Sequence, residues 1–537
     1  MEKELLVMAK WFMIAIFILT LQTDAAFSKN SNNTNLRSDA CTTVLVGKKA
    51  SFDGSVINSH TLDGHRYRTW FDIVPAKTYK KGSKKTLLKR VNDNDKAMPL
   101  YKHVYVGEIP QVTHTHGYIN TDMRCMNDQQ LSIGESTFGG RSALRSDNGM
   151  IMVEQLTELL LERCSTAREA IQLAGELLKE YGWIDTGECL TIADTKEIWM
   201  LEIVGPGKGN KGAVWAAQRV PDDEVSVNAN ASRIRQIDLD NTDYFMASAN
   251  VFQVAQDSGW WNPQKGPFEF CYAYDPDGRN SFASRRREWR VLSLMAPSLK
   301  LPPNAENYPF SVKPDSLVTL QKMVRIFQDY YEGTDFNPVK NITWVNRQGK
   351  TEISPLANPF MPYDMLPLFK INGGWGWRGE RTIARWYTIY AFISQSRDWL
   401  PNEIGGVVWL AWDNVATSVY VPFYAGISDV PQSYKTPGRV NGYTRDSAWW
   451  AFNRLGTLAA QRWGDMRHDI ENIWKPIQNK LFNEQNNIEQ KALQLYKKDK
   501  AAAKRFLTDY GLKWGDTVVK EAWKLGDFLW TKYDEKF

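Results

Sequence analysis

The chain has 537 residues, 43% hydrophobic and 24% charged, enough for a sizeable core under an ordinary solvated surface. Its 66 Lys/Arg against 61 Asp/Glu leave a net charge of +5, too small and too dispersed for a nucleic-acid footprint, which needs clustered cations. Five cysteines, at positions 41, 125, 164, 189 and 271, are odd in number, widely spaced and without a CxxC, so neither a disulfide framework nor a zinc site is indicated. One cysteine with a chemical task and four small buried residues fits better.

Lys3 and Lys10 precede the apolar run Trp11 to Leu21, which matches the hydrophobic part of a signal peptide and falls short of the roughly 20 residues that span a bilayer. Thr23-Asp24-Ala25-Ala26 offers small residues for cleavage, so residues 1–26 read as a signal peptide and stable membrane insertion of the mature chain is not expected. Residues 27–40 are Asn/Ser-rich, too polar to fold alone, and read as a propeptide. Ordered sequence begins at Cys41. Thr42 to Val46 is β-branched and apolar and predicts a buried strand; Phe52 to Ser55 predicts a turn, and Val56 to Ser59 a returning strand. Cys41 is thereby expected on a central strand. The basic run Lys77 to Arg90, broken by Gly82 and Ser83, predicts an exposed loop. Leu156 to Leu161 lies in a helix. Thr166 and Glu169 have capping-box spacing ahead of the apolar face Ala170, Ile171, Ala174, Leu177, Leu178 and Tyr181, with Gly182 to end the helix. Leu190 to Ala193, Ile198 to Val204, Val214 to Val220, Val407 to Trp412 and Ser418 to Phe423 predict strands, and Ala448 to Trp463 and most of Trp474 to Phe537 predict helices. Strands, helices, strands and a helical tail favour an α+β fold over a doubly wound sheet.

Most motif-like stretches fail the test of their own chemistry. His114-Thr115-His116 puts two imidazoles on one strand face, but no third ligand is spaced to join them. Asp238 to Asp243 starts like a calcium loop, yet its sixth position is Asp and its twelfth is Ala249. Gly207 to Gly212 matches G-x-G-x-x-G with strands on both flanks, so a hairpin loop is expected rather than a dinucleotide site. No GxSxG elbow and no Walker sequence occur. Cys41 reads two ways. It is a small buried hydrophobe, or, if the chain is cut after Ala40, it carries both a thiol and a free α-amine. An α-amine of pKa about 8 can take the thiol proton near neutrality, so one residue would supply nucleophile and base.

The residues that follow favour the second reading. "CTTVLVGKKASFDGSVINSHTLDG" resembles the mature start of the cysteine N-terminal-nucleophile dipeptidases, secreted enzymes of Gram-positive and Bacteroides-type bacteria. Blocks at 130–141, 188–207, 219–234, 284–298, 380–414, 419–427 and 525–533 continue the resemblance over nearly everything from Cys41 onward. It implies a four-layer αββα N-terminal-nucleophile (Ntn) hydrolase sandwich over 41–465, with a helical extension over 466–537 packed on it. It also implies amide hydrolysis through a thioester, with no cofactor and no metal. The related penicillin V acylases and bile salt hydrolases cut other amides on the same core.

The resemblance carries further roles position by position. Asp63 stands where the family has a carboxylate near the nucleophile. His60 stands where the acylases and many of the dipeptidases have arginine. Asn230 matches an oxyanion donor, with Asn228 two residues away on what is read as the same strand face. Glu135, Ser136 and Thr137 occupy the place of another oxyanion-hole residue, and Arg287 matches an arginine facing the site. The bland readings are a turn aspartate for Asp63 and a surface salt bridge for Arg287. Three functions are then weighed: a dipeptidase acting on dipeptides or short peptides, an N-acyl amide hydrolase of the same fold, and a non-catalytic secreted binding protein. The dipeptidase is favoured. A secreted, periplasmic or vacuolar location is expected, processing before Cys41 is expected to be autocatalytic, and homo-oligomerisation stays open.

Overall fold

The computed structural model describes residues 41–64, 67–91, 101–360 and 381–535. The signal-peptide and propeptide readings, on residues 1–40, lie outside the described residues. Two large antiparallel sheets organise the chain. In chain order their strands are β1 Thr43–Val46, β2 Val56–Asp63, β3 Asp72–Val74, β4 Tyr118–Asn120, β5 Met126–Asn127, β6 Ser132–Gly139, β7 Gly187–Ala193 and β8 Ile198–Val204. β9 Val214–Val220, β10 Val225–Asn228, β11 Phe245–Ala247, β12 Ser311–Val312, β13 Thr388–Ser396, β14 Val407–Trp412 and β15 Val421–Tyr424 follow. One sheet runs β12-β10-β1-β2-β13-β14-β15, the other β11-β9-β8-β7-β6-β5-β4-β3.

Strand β1, which follows Cys41, lies inside the first sheet between β10 and β2, as a β-branched run buried on both sides requires. Its seam with β2 is unusual. Val46 faces Ile57 and Thr42 faces Thr61 in one register, but between them the hydroxyl of Ser59 replaces backbone pairing. Ser59 Oγ accepts from Val44 N at 3.0 Å and donates to Val44 O at 2.7 Å, while Ser59 N donates to Asn58 Oδ1. Thr61 Oγ1 accepts from Thr42 N at 3.0 Å.

The two sheets meet through polar side chains. Asn58 Nδ2 donates to Thr191 O at 2.9 Å, Thr191 Oγ1 donates to Asn58 Oδ1 at 2.8 Å, and the Ser132 and Ser394 hydroxyls lie 2.7 Å apart. A Cβ on Gly134 of β6 would come within 2.6 Å of Thr191 Oγ1 and 3.1 Å of Ser59 O, so glycine is what lets β6 approach β2. That approach brings Glu135 beside the first sheet.

Helices α1 Val153–Arg163 and α2 Ala167–Tyr181 contact strands of the second sheet. The capping box is present: Thr166 accepts from Glu169 N, Glu169 reaches back to Thr166 N, and Gly182 follows with φ +74°. Ala170, Ile171, Ala174, Leu177 and Leu178 are buried as the face predicts; each large aliphatic contributes about 1.5–3 kcal/mol. Helix α3 Phe282–Met295 packs on β10. Helices α4 Ala448–Ala459, α5 Trp463–Tyr496 and α6 Lys500–Tyr533 form the C-terminal helical region, and α6 lies on β15. A Cβ on Gly515 would meet Pro431 Cγ at 2.5 Å, so this helix sits close because that position is bare.

Two expectations need correction. The run Lys77–Arg90 is largely exposed as expected but is not all loop: Lys77–Thr78 and Lys84–Val91 are strands, the second paired antiparallel with Lys102–Pro110. Lys85 Nζ lies 2.7 Å from both Glu158 and Glu162, and Arg90 Nη1 lies 3.1 Å from Glu154, so acidic groups of α1 pair with two of its cations. The strand expected over Ser418 to Phe423 is Val421–Tyr424, because Asn414 caps a short 3-10 turn over Val415–Thr417. His114 and His116 stand with rings 6.3 Å apart; His116 pairs with Asp128. Among the described residues no helix is long and apolar enough to cross a membrane.

The helical region is tied in by a buried ion pair. Arg397, just after β13, places Nη1 2.7 Å from Glu489 Oε1 of α5, and both side chains are almost fully buried. Its Nε and Nη2 donate to Gly405 O and Ile404 O. Glu489→Ala leaves the Arg397 charge uncompensated, and is expected to lower stability by about 3–5 kcal/mol in chemical denaturation. An unchanged unfolding midpoint would show that α5 is not integral to the sheet.

Candidate active site

Cys41 precedes β1 and is 1% exposed. Its Sγ lies 3.5 Å from Glu135 Oε2, within reach of a weak S–H donation. Its carbonyl oxygen accepts from Arg287 Nη1 at 2.8 Å. Burial pushes the thiol well above its ordinary pKa, and the Glu135 and Asp63 carboxylates push it the same way; the Asp63 backbone N–H and Arg381 oppose them. The sulfur is thus a protonated thiol at neutral pH and needs a local base to become a nucleophile.

Asp63 ends β2, fully buried. Its carboxylate accepts from Thr388 Oγ1 at 2.7 Å and from Arg381 Nη2 at 3.0 Å. Burial raises its pKa, with Arg381 and Thr388 the main opposing influences. It is therefore a held group rather than a solvent-facing turn residue.

Arg287 sits on the face of α3 turned to β1 and β10, and all its nitrogens are engaged. Nη1 donates to Cys41 O and Thr42 Oγ1, Nη2 to Ala229 O and Asn230 Oδ1, and Nε to Ala283 O, each at 2.8–2.9 Å. Burial and the neighbouring Arg381 push its pKa down to about 9. The surface-salt-bridge reading of this residue does not hold.

Asn228 and Asn230, expected on one strand face, are separated. Strand β10 stops at Asn228, and Asn230 has φ +63°, a left-handed conformation that asparagine tolerates. Asn228 Oδ1 accepts from Asn230 N at 3.1 Å and its Nδ2 donates to Ala231 O, so it braces this turn. Asn230 turns Oδ1 to Arg287 at 2.9 Å and Arg381 at 3.4 Å, while its Nδ2 is held by Thr137 O at 2.7 Å and Ser136 Oγ at 3.3 Å. Ser136 Oγ also accepts from Asn230 N. These donors are spent on the frame of the site in this conformation.

Glu135 and Glu188 form a buried acidic pair, with Thr137 Oγ1 3.0 Å from an oxygen of each. Glu188 is pushed well up, by burial and by the charge of Glu135. Glu135 stays low despite burial, aided by His60 and Glu188. Glu188 therefore keeps the proton of the pair and Glu135 the charge. His60 points to the same place, Nε2 3.7 Å from Glu135 Oε2, edge-on to Tyr390 and Phe392. The residues named from sequence thus gather at one locus. Arg381, Glu188 and Thr388 went unnoticed; Arg381 and Thr388 stand inside the 380–414 block and Glu188 opens the 188–207 block, but no local pattern sets them apart.

Comparison with known proteins shows what the chain as a whole is similar to. A probable dipeptidase of Salmonella dublin is 26% identical over 404 residues, 72% of this chain and 81% of the relative. A probable dipeptidase B of Lactococcus lactis is 27% identical over 443 residues, 81% of this chain and 83% of the relative. A probable dipeptidase of Latilactobacillus sakei is 24% identical over 443 residues, 80% and 84% of the two chains. Residues 40–476 match peptidase family C69, a stretch that opens one residue before Cys41 and spans both sheets. That match covers most of the chain, and the protein is a peptidase belonging to family C69.

Proposed function

We propose that this peptidase is a secreted cysteine dipeptidase whose nucleophile is Cys41, exposed as the mature N-terminus by removal of residues 1–40 through autocatalytic processing. In this reading the two sheets and their helices are the four layers of an αββα Ntn sandwich. The observation that carries it is Cys41 itself: a buried thiol at the head of an interior strand, its carbonyl held by Arg287 and its sulfur beside Glu135, in a chain of family C69.

The chemistry follows from the thiol's neighbours. The Cys41 α-amine takes the thiol proton as sulfur attacks the scissile carbonyl, then passes it to the leaving amine; water hydrolyses the thioester. Asp63, held by Arg381 and Thr388, stabilises the α-ammonium while it carries that proton. Arg287 and Arg381 supply positive charge to the tetrahedral oxyanion, with Asn230 orienting both. Glu135 offers a carboxylate to a substrate ammonium, a partner that an N-acyl amide lacks.

Amino-acid release from free dipeptides and from their N-acetylated forms tests the substrate class. Hydrolysis of the free dipeptides is expected, with acetylation lowering kcat/KM at least about tenfold for the lost charge-assisted contact, worth roughly 1.5–3 kcal/mol. Turnover of acyl amides alone would make the enzyme an acylase of the same fold.

A further inference from the structure

Cys41, His60 and Glu135 come from three separate stretches of chain, and their ligand atoms all lie within 4.8 Å of one another. Sulfur and carboxylate are 3.5 Å apart, imidazole Nε2 and carboxylate 3.7 Å. A tetrahedral zinc ion with bonds of about 2.3 Å to sulfur and 2.0–2.1 Å to nitrogen and oxygen sets its ligands about 3.5 Å (S to O) and 3.4 Å (N to O) apart. The sulfur–carboxylate and imidazole–carboxylate separations therefore already stand near two edges of such a tetrahedron, and sulfur and imidazole lie within 4.8 Å of each other.

A second, independent feature points the same way. His60 is fully buried; its Nε2 faces Glu135 Oε2 at 3.7 Å, too far for a hydrogen bond, and its Nδ1 has no hydrogen-bond partner. A buried imidazole with no hydrogen bond is costly unless something else uses its lone pair. Tyr390 and Phe392 wall its ring at 6.0 and 5.7 Å and limit its movement away from the other two ligands. Thr137 Oγ1, 3.0 Å from Glu135 Oε1, leaves Oε2 to face sulfur and imidazole, the outer support that orients metal-binding carboxylates.

We propose that Cys41, His60 and Glu135 form a site for a zinc-class divalent cation, and that its occupancy reversibly shuts off the peptidase. Thiolate, imidazole and one carboxylate suit zinc or cobalt(II) and are wrong for calcium or magnesium. Binding replaces the thiol proton, which leaves to solvent, with a metal–sulfur bond; no electron is transferred. A tetrahedral ion leaves a fourth position beyond these three. Once residues 1–40 are gone, the Cys41 α-amine can fill it, closing a five-membered chelate that ties up nucleophile and base together. Arg381 opposes a cation here, and the carboxylates of Glu135 and Asp63 offset it. The shut-off rests on Cys41 being the nucleophile; the binding does not.

Mature enzyme stripped with chelator and titrated with cobalt(II) tests the site. One equivalent is expected to bring up the near-ultraviolet thiolate-to-cobalt charge-transfer absorption, and zinc is expected to displace cobalt. Zinc should abolish dipeptide hydrolysis and EDTA restore it. Cys41→Ser should lose the absorption. His60→Asn, folded by circular dichroism, should bind zinc at least about tenfold more weakly by calorimetry, as loss of even an outer support costs that much. Absence of the absorption, its survival in Cys41→Ser, unchanged zinc affinity in His60→Asn, or activity that requires the metal would overturn the proposal. If Cys41→Ser stays active while the wild type shows the absorption, the nucleophile assignment fails and the cation site stands. If that variant is inactive and the wild type shows no absorption, the cation site fails alone.

Discussion

Cys41→Ser is expected to lower kcat on dipeptides by at least about 10³-fold while leaving the unfolding midpoint nearly unchanged. Loss of a nucleophile in other acyl-transfer enzymes costs up to roughly 10⁶-fold, so a much smaller effect would be informative. Serine is close to cysteine in shape, and its Oγ can keep the contact with Glu135 that Sγ makes at 3.5 Å. The Arg287 bond to the residue 41 carbonyl involves backbone and survives any side-chain change. What disappears is a group acidic enough for a weak amine to deprotonate. A variant whose kcat stays within tenfold of the parent would remove Cys41 from the chemistry.

Activity is expected only from chains that begin at Cys41. A form retaining Ala40 should lose about 10²–10⁴-fold, the usual worth of a positioned general base, because a peptide nitrogen cannot accept the thiol proton. The cost is not recoverable from the thiol alone, since burial and the carboxylates of Glu135 and Asp63 hold it protonated. Rates of the mature form should rise with pH as an α-ammonium of pKa about 8 deprotonates, and the Ala40 form should lack that limb. Mass measurement of the N-terminal peptide beside the rate profile checks both. Equal activity from the Ala40 form would require another base, and Glu135 would be the group to examine.

What sequence alone revealed about the site divides by distance along the chain. Cys41, the strand after it and the capping box at Thr166 and Glu169 were legible because their signals are local. Arg287 lies in "RREWR", where every charge looks solvent-facing until β10 is known to lie beneath that helix. The face shared by Asn228 and Asn230 assumed strand alternation, which the left-handed backbone at Asn230 breaks. The strand inside the run Lys77–Arg90 was not legible because the partners of Lys85 and Arg90, namely Glu154, Glu158 and Glu162, come some 70 residues later. Arg381 meets Asp63 across 318 positions, a pairing no window on the sequence contains. The metal-compatible trio escaped the cysteine arithmetic for the same reason: its ligands obey a spacing in space and none along the chain.

Ser59 and Thr61 touch no reacting atom, yet their hydroxyls stand where backbone groups would otherwise pair β1 to β2. A backbone ladder is indifferent to which residues form it; this seam is not. The position of Cys41 thereby depends in part on two side chains, and a change from serine or threonine to an isosteric apolar residue, harmless in an ordinary strand, is expected to shift the sulfur.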